Sequence, residues 1–132
     1  MDLIWKGGLA FEAEPPSGAR LTLESNGDGG PSPIEAFVAS LAACSAMDVV
    51  SMLQKMRQPV ESYSIEVEWE RGPKDLFPRP ITSIKVRHVL RGNGIDPEAV
   101  EKAVKLSDEK YCGVTATLRT PPALTTTWHV EG

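Results

Sequence analysis

The stretch "SLAACSAMDVV", Ser40 to Val50, sets a thiol at Cys44 and a carboxylate at Asp48 inside a run of small apolar residues. The second of the chain's two cysteines, Cys112, follows Glu109 and Lys110 in "DEKYCGV". A thiolate is the reactive form of cysteine, and it forms where a helix N-terminus or a cation lowers the thiol pKa. Cys44 falls about three turns into its helix, beyond the first turn where the terminal dipole acts. A carboxylate one turn further on would raise its pKa, not lower it. Cys112 is expected at a helix C-terminus, whose negative end disfavours a thiolate. On sequence alone neither thiol activates itself, and a cation must come from elsewhere in the fold or from another subunit. The plainer reading of Cys44 is a small buried hydrophobe. For Asp48 it is a carboxylate satisfied by a core donor or exposed through a gap, since a lone buried charge is costly. The sharper reading makes Asp48 a proton acceptor or orienting group at i+4 from the thiol.

Other chemistries find less support. Ser32, Pro33 and Glu35 in "SPIE" form a capping box, which accounts for Glu35 without catalysis. His88 points to the apolar face of its strand and is expected to be a hydrogen-bonded core residue; His129 is expected to be exposed. No CxxC or HxxxH spacing supports a zinc site, so no metal is expected. Nor is there a glycine-rich phosphate loop or a GxSxG elbow. The net charge of -4, with no cluster of Lys and Arg, argues against a nucleic-acid partner.

The elements that must position these residues follow from periodicity. "DLIWK", "LAFEAE" and "ARLTLES" read as an antiparallel meander, with Gly7 and Gly8 in its first turn. The glycine-rich "NGDGG" leads into a first helix capped at Ser32. Ile34, Phe37, Val38 and Leu41 follow at helical spacing, continued by Val49, Met52, Leu53 and Met56. This helix is apolar nearly all round and belongs at the centre of a fold or at a subunit interface. "YSIEVEWER" and "SIKVRHVLR" alternate apolar and charged residues, and their acidic and basic outer faces suit a pair. A second helix starts at Asp96–Pro97, buries Val100, Ala103, Val104, Ser107 and Tyr111, and ends at Cys112–Gly113. "VTATLRT" and "ALTTTWHV" read as a final hairpin with Leu124, Thr126, Trp128 and Val130 on one face. The class is α+β.

At 132 residues, 41% hydrophobic and 24% charged, the chain is expected to form one domain, residues 1–132, with its own core. "MDLIWKGG" lacks a basic segment followed by an apolar one, so no signal peptide is expected and the reducing cytosol is the expected compartment. Cysteines there are free thiols or a redox pair more often than structural bridges. The apolar run from Ala36 to Val50 is 15 residues, against roughly 20 for a membrane span. No membrane partner is expected.

"GPSPIEAFVASLAACSAMDVVSML" resembles the central helix of the OsmC/Ohr family, and "LSDEKYCGVTATL" resembles its second cysteine motif. The order of strands and helices agrees over nearly the whole chain. "CSAMDVVSMLQKMR" is most similar to the OsmC-like, YhfA-type branch. The resemblance implies an OsmC-like fold and an intertwined homodimer, with central helices packed together and active sites at the subunit interface. It implies that Cys44 attacks a peroxide and becomes a sulfenic acid, and that Cys112 resolves it as a disulfide. An external dithiol then reduces that disulfide, with no bound cofactor. Peroxidase members carry a glutamate directly after the helix-start proline; that position is Ile34 here, with Glu35 about 100° further round the helix. They also use an N-terminal arginine, and the sole arginine before Cys44 is Arg20.

Two functional readings therefore stand. One is a thiol-dependent hydroperoxide reductase with peroxiredoxin-type activity in oxidative stress defence. The apolar surround of Cys44 suits small organic peroxides as its substrates. The other is a dimeric protein that binds a small ligand without turning over peroxide. A purely structural dimer would leave the cysteine pair unexplained.

Overall fold

The structure is a computed structural model, and it describes residues 1–25 and 28–132. Asn26 and Gly27 of the expected "NGDGG" connection lie outside the described residues. The chain opens with β1 (Asp2–Trp5), β2 (Ala10–Glu14) and β3 (Leu21–Glu24), an antiparallel meander in that order. Gly7 and Gly8 take the positive φ values, 101° and 54°, that the first tight turn requires. Their strands pair Leu3 with Ala13, and Phe11 with Leu23.

Helix α1 runs from Pro33 to Lys55 and begins where the sequence places it. The Glu35 amide donates to Ser32 Oγ at 3.2 Å, and the Ser32 amide donates to Glu35 Oε1 at 3.0 Å. Such reciprocal bonds satisfy two of the N–H groups a helix start leaves free. At 23 residues and a mean hydropathy of 1.8 over its most apolar window, α1 is long and apolar enough to cross a membrane. Within this chain it buries one face instead, with Val38, Leu41, Ala42, Val49 and Leu53 inside. Its other side leaves Phe37 39% and Met47 68% exposed, so the expected all-round burial is met on one side only.

Strands β4 (Ser62–Arg71) and β5 (Ile81–Arg91) form a separate antiparallel pair. Ile65 faces His88 and Val67 faces Val86 on the inner surface, while Glu66 faces Arg87 and Glu68 faces Lys85 outside. Arg87 Nη1 donates to Glu66 Oε2 at 3.1 Å, as the complementary outer faces require. Helix α2 (Pro97–Leu106) starts at the Asp96 cap, whose Oδ1 accepts from the Glu98 amide at 3.0 Å. Val49, Leu53 and Ala103 are fully buried where α1 crosses α2, with Tyr63, Leu90, Val100 and Val104 packed around them.

The C-terminal quarter departs from expectation. The chain widens after Leu106 into a π turn, Ser107–Tyr111, and then starts a third helix, α3 (Gly113–Arg119). Gly113 therefore opens a helix instead of ending one. "VTATLRT" is helical despite its β-branched residues, because three contacts hold it. Cys112 caps it, Thr117 Oγ1 donates back to the Gly113 carbonyl at 2.7 Å, and Arg119 Nη2 reaches Asp108 Oδ2 at 2.9 Å. Tertiary context overrides a propensity difference worth only about 0.7 kcal/mol per residue at most. The π turn also carries Tyr111 off the α2 stripe, leaving it 54% exposed. Residues 121–132 make no strand, and no described strand pairs with "ALTTTWHV". Leu124 and Trp128 are 91% and 87% exposed as a result.

The core and the charged face should differ sharply in urea denaturation. Leu53→Ala is expected to cost about 2–5 kcal/mol, as for other fully buried leucines. Glu66→Gln, which breaks an exposed ion pair, should cost at most about 1 kcal/mol.

Candidate active site

The two cysteines lie far apart in the chain and on different elements, yet their side chains meet. Cys44 is half-buried on α1, and Cys112 is buried at 3% exposure at the start of α3. Both are free thiols. The Cys112 amide bonds to the Ser107 carbonyl at 2.8 Å, which closes the π turn. Its backbone then turns extended, φ -72° and ψ 104°, and α3 begins. Cys112 thus occupies an N-cap position, where the sequence had predicted a helix C-terminus, and the electrostatics reverse with it.

The Thr115 amide donates to Cys112 Sγ at 3.5 Å. Burial pushes the Cys112 thiol up, but hydrogen bonds outweigh it. They come from the Thr115 hydroxyl and amide, from the Cys44 side chain and from the Val114 amide, and they hold the pKa below its ordinary value. Neutral donors, the Thr115 side chain first among them, do here what a cation was expected to supply.

Asp48 does not bond to Cys44. The fully buried Ser107 hydroxyl donates to Asp48 Oδ2 at 3.0 Å and stands 3.3 Å from Ser45 Oγ. A hydroxyl donating to a carboxylate is a charge-assisted bond, which is what a partly buried Asp needs. Ser45 Oγ in turn lies 3.5 Å from His88 Nε2, and His88 Nδ1 lies 2.6 Å from the Tyr63 hydroxyl. Five side chains from α1, β4, β5 and the π turn thus form one polar row beside the thiols. Ser107 was legible as part of the inner stripe of the second helix, and His88 as an inward residue. The link between them needs the strand register, which makes Tyr63 and His88 diagonal neighbours.

Two clefts flank this row. The larger, about 780 Å³, is lined by Phe37, Leu41, Ser45, Ile84, His88 and Thr115 among others. Ile34, at the position where the peroxidase resemblance expects glutamate, also lines it. Arg79 enters its wall with Nε donating to the Gly72 carbonyl at 2.7 Å. Neither cysteine lines this cleft, but Ser45 and Thr115, their direct neighbours, do. The second cleft, about 500 Å³, joins Asp48 to Lys55, Lys102 and Tyr111.

The other two residues singled out in the sequence sit elsewhere in the chain. Glu35 stays with its cap, whose amide and hydroxyl hold its carboxyl below the usual range. It lies nine residues before Cys44, about 13 Å along the helix axis. Arg20 pairs with Glu12 at 2.6 Å and with Glu14 at 3.8 Å across the meander. Among the described residues no group of His, Cys, Asp and Glu is arranged to hold a metal ion.

A family model described as OsmC-like protein matches residues 25–127. The chain belongs to the OsmC-like family. It is 38% identical over 127 residues to protein YhfA of Escherichia coli K12, covering 96% of this chain and 93% of YhfA. The crystal structure of a hypothetical protein from Aquifex aeolicus VF5 has a TM-score of 0.78 at 30% identity, covering 98% and 93% of the two chains. An OsmC-like hydroperoxide resistance protein from Jannaschia sp. CCS1 shares the fold, with a TM-score of 0.60 at 18% identity. That match covers 97% of this chain and 89% of the other. As an OsmC-like protein the chain has the mixed fold of antiparallel strands and helices expected from its sequence, with α3 standing where a strand was expected.

The lowered Cys112 pKa is open to direct titration by ultraviolet thiolate absorbance. Wild type should show a thiolate that persists to lower pH than an ordinary cysteine. In Cys44→Ala, which removes one of the donors, the Cys112 titration should move upward.

Proposed function

We propose that this OsmC-like protein reduces organic hydroperoxides with Cys44 and Cys112 as its redox pair. The Cys44 side chain as a hydrogen-bonding neighbour of Cys112, whose thiol is held below its ordinary pKa, carries this reading. Cys44 is the more exposed of the two and is the one a peroxide can reach. Its sulfur attacks the terminal peroxide oxygen while its proton passes to the Cys112 thiolate. An S–O bond forms, the O–O bond breaks, and the alkoxide takes a proton to leave as an alcohol. The Cys112 thiol then attacks the Cys44 sulfenic acid, giving a disulfide and water. An external dithiol returns the pair to its reduced form. The hydroperoxide resistance protein of the same fold and the apolar side chains in the larger cleft, Ile34, Phe37, Leu41 and Ile84 among them, both support this reading.

The active form is a homodimer. The exposed apolar side chains of α1 and of the C-terminal segment, Phe37, Met47, Leu124 and Trp128, support it. Single chains leave few such patches without a partner.

With cumene hydroperoxide and excess dithiol, wild type should consume peroxide continuously. Cys44→Ser should be inactive, and Cys112→Ser should stop after at most one peroxide per chain. Wild-type consumption no greater than the Cys44→Ser background would remove the peroxidase reading. Sedimentation equilibrium should give twice the chain mass.

A further inference from the structure

The wall of the larger cleft carries one ring whose proton can be placed. Tyr63 Oη lies 2.6 Å from His88 Nδ1, a length that suits an O–H donor and is short for an N–H donor. Burial pushes the Tyr63 pKa up to about 12, so the phenol keeps its proton. Burial also lowers the His88 pKa, which favours the neutral imidazole. With Nδ1 accepting from Tyr63, the single ring proton sits on Nε2. Nε2 has Ser45 Oγ as its partner at 3.5 Å, which is long for such a bond. His88 and Ser45 both line the cleft of about 780 Å³. A part-buried N–H held this loosely, in the wall of a cleft, has room for a better acceptor.

We propose that His88 donates its Nε2 proton to the leaving oxygen of a peroxide bound in this cleft, with Tyr63 resupplying the ring through Nδ1. The proposal rests on the peroxidase reading above. As the O–O bond breaks, its electron pair goes to the alkoxyl oxygen, which takes the Nε2 proton. Nδ1 takes the phenolic proton, so the imidazole ends neutral as its other tautomer. The phenolate left on Tyr63 recovers a proton from water. An alkoxide is a far stronger base than a phenolate, so the transfer runs toward the product alcohol. An alkoxide is poorly solvated where it meets the apolar part of this lining, Leu41, Ile84 and Val86, which His88 shares with the charged Arg79, Lys105 and Arg119. Neither sulfur lines the cleft, but Ser45, which follows Cys44 in α1, and Thr115, whose amide donates to Cys112, both do.

Two oxidants with different leaving groups test this. Cumene hydroperoxide releases an alkoxide that needs a proton. Peracetic acid releases a carboxylate that does not. Single-turnover thiol oxidation should be followed in wild type, His88→Phe, His88→Gln and Tyr63→Phe. His88→Phe should slow the cumene hydroperoxide reaction about 10²- to 10⁴-fold while the peracetic acid reaction stays within about twofold. His88→Gln, which keeps an N–H donor, should recover part of the loss, and Tyr63→Phe should slow only the hydroperoxide. Equal slowing with both oxidants, or with neither, overturns the role of His88. Wild type that reacts with peracetic acid but not with cumene hydroperoxide overturns the peroxidase reading itself, before any variant is compared.

Discussion

The bond from the Cys112 amide to the Ser107 carbonyl, 2.8 Å, fixes the geometry on which the site depends. In a regular α-helix that amide would bond to Asp108 instead. Because it reaches one residue further back, the Asp108 carbonyl is released and accepts from Arg119 Nη1 at 3.0 Å. One extra residue in the turn therefore does two things. It lets Cys112 leave the α2 axis and cap a new helix, and it leaves a carbonyl by which the end of that helix is clipped back. π turns of this kind occur often at functional sites because they re-aim side chains without ending the chain's packing. Here the re-aimed groups are the thiol of Cys112 and the hydroxyl of Ser107.

The elements with strong local signals were legible in the sequence. The capping box at Ser32 and Glu35 marked the start of α1, and Asp96–Pro97 marked α2. Alternation with opposite outer charges marked β4 and β5, down to the face on which His88 lies. What failed was the region where local and tertiary preferences disagree. "VTATL" reads as strand because its β-branched residues favour one, yet it is short and packs against α1 as a helix. The π turn left no pattern to read, since one inserted residue in a helical run changes nothing in composition. That single residue moved Tyr111 off the inner stripe and inverted the expected electrostatics at Cys112. The C-terminal alternation of Leu124, Trp128 and Val130 was read correctly as a pattern and wrongly as a hairpin. A strand needs an edge to join, and no strand in the described chain pairs with it.

Asp48 illustrates how a charge survives in an apolar helix. Ser45 and Asp48 are three residues apart and share one face of α1, while Val49 and Leu53 share the face that meets Ala103. Ser107 enters from the π turn and stands between Ser45 and Asp48, within bonding reach of both. The carboxylate therefore has a hydroxyl donor on its inner side and the cleft with Lys55 and Lys102 on its outer side. It holds α1 and the π turn in one register by a bond that an apolar pair at this seam would not specify. Its structural link to Cys112 runs through Ser107, whose hydroxyl donates to Asp48 and whose carbonyl takes the Cys112 amide.

The use of neutral donors at Cys112 has a consequence for what the site can accept. A cation beside a thiolate lowers its pKa efficiently, but it carries hydration with it and favours a polar approach. Amides of Val114 and Thr115, the Thr115 hydroxyl and the Cys44 thiol stabilise the same charge without placing an ion in the site. The Arg20 guanidinium is taken up by Glu12 and Glu14, and Ile34 adds apolar surface where the resemblance to peroxidases expects a glutamate. The charged groups that line the larger cleft are Arg79, Lys105 and the Asp108–Arg119 pair at 2.9 Å, and they are tied into the fold by other contacts. Asp108 and Arg119 clip the π turn to α3, and Arg79 bonds the Gly72 carbonyl, so the groups that border the thiols are the neutral Ser45, His88 and Thr115 among apolar side chains.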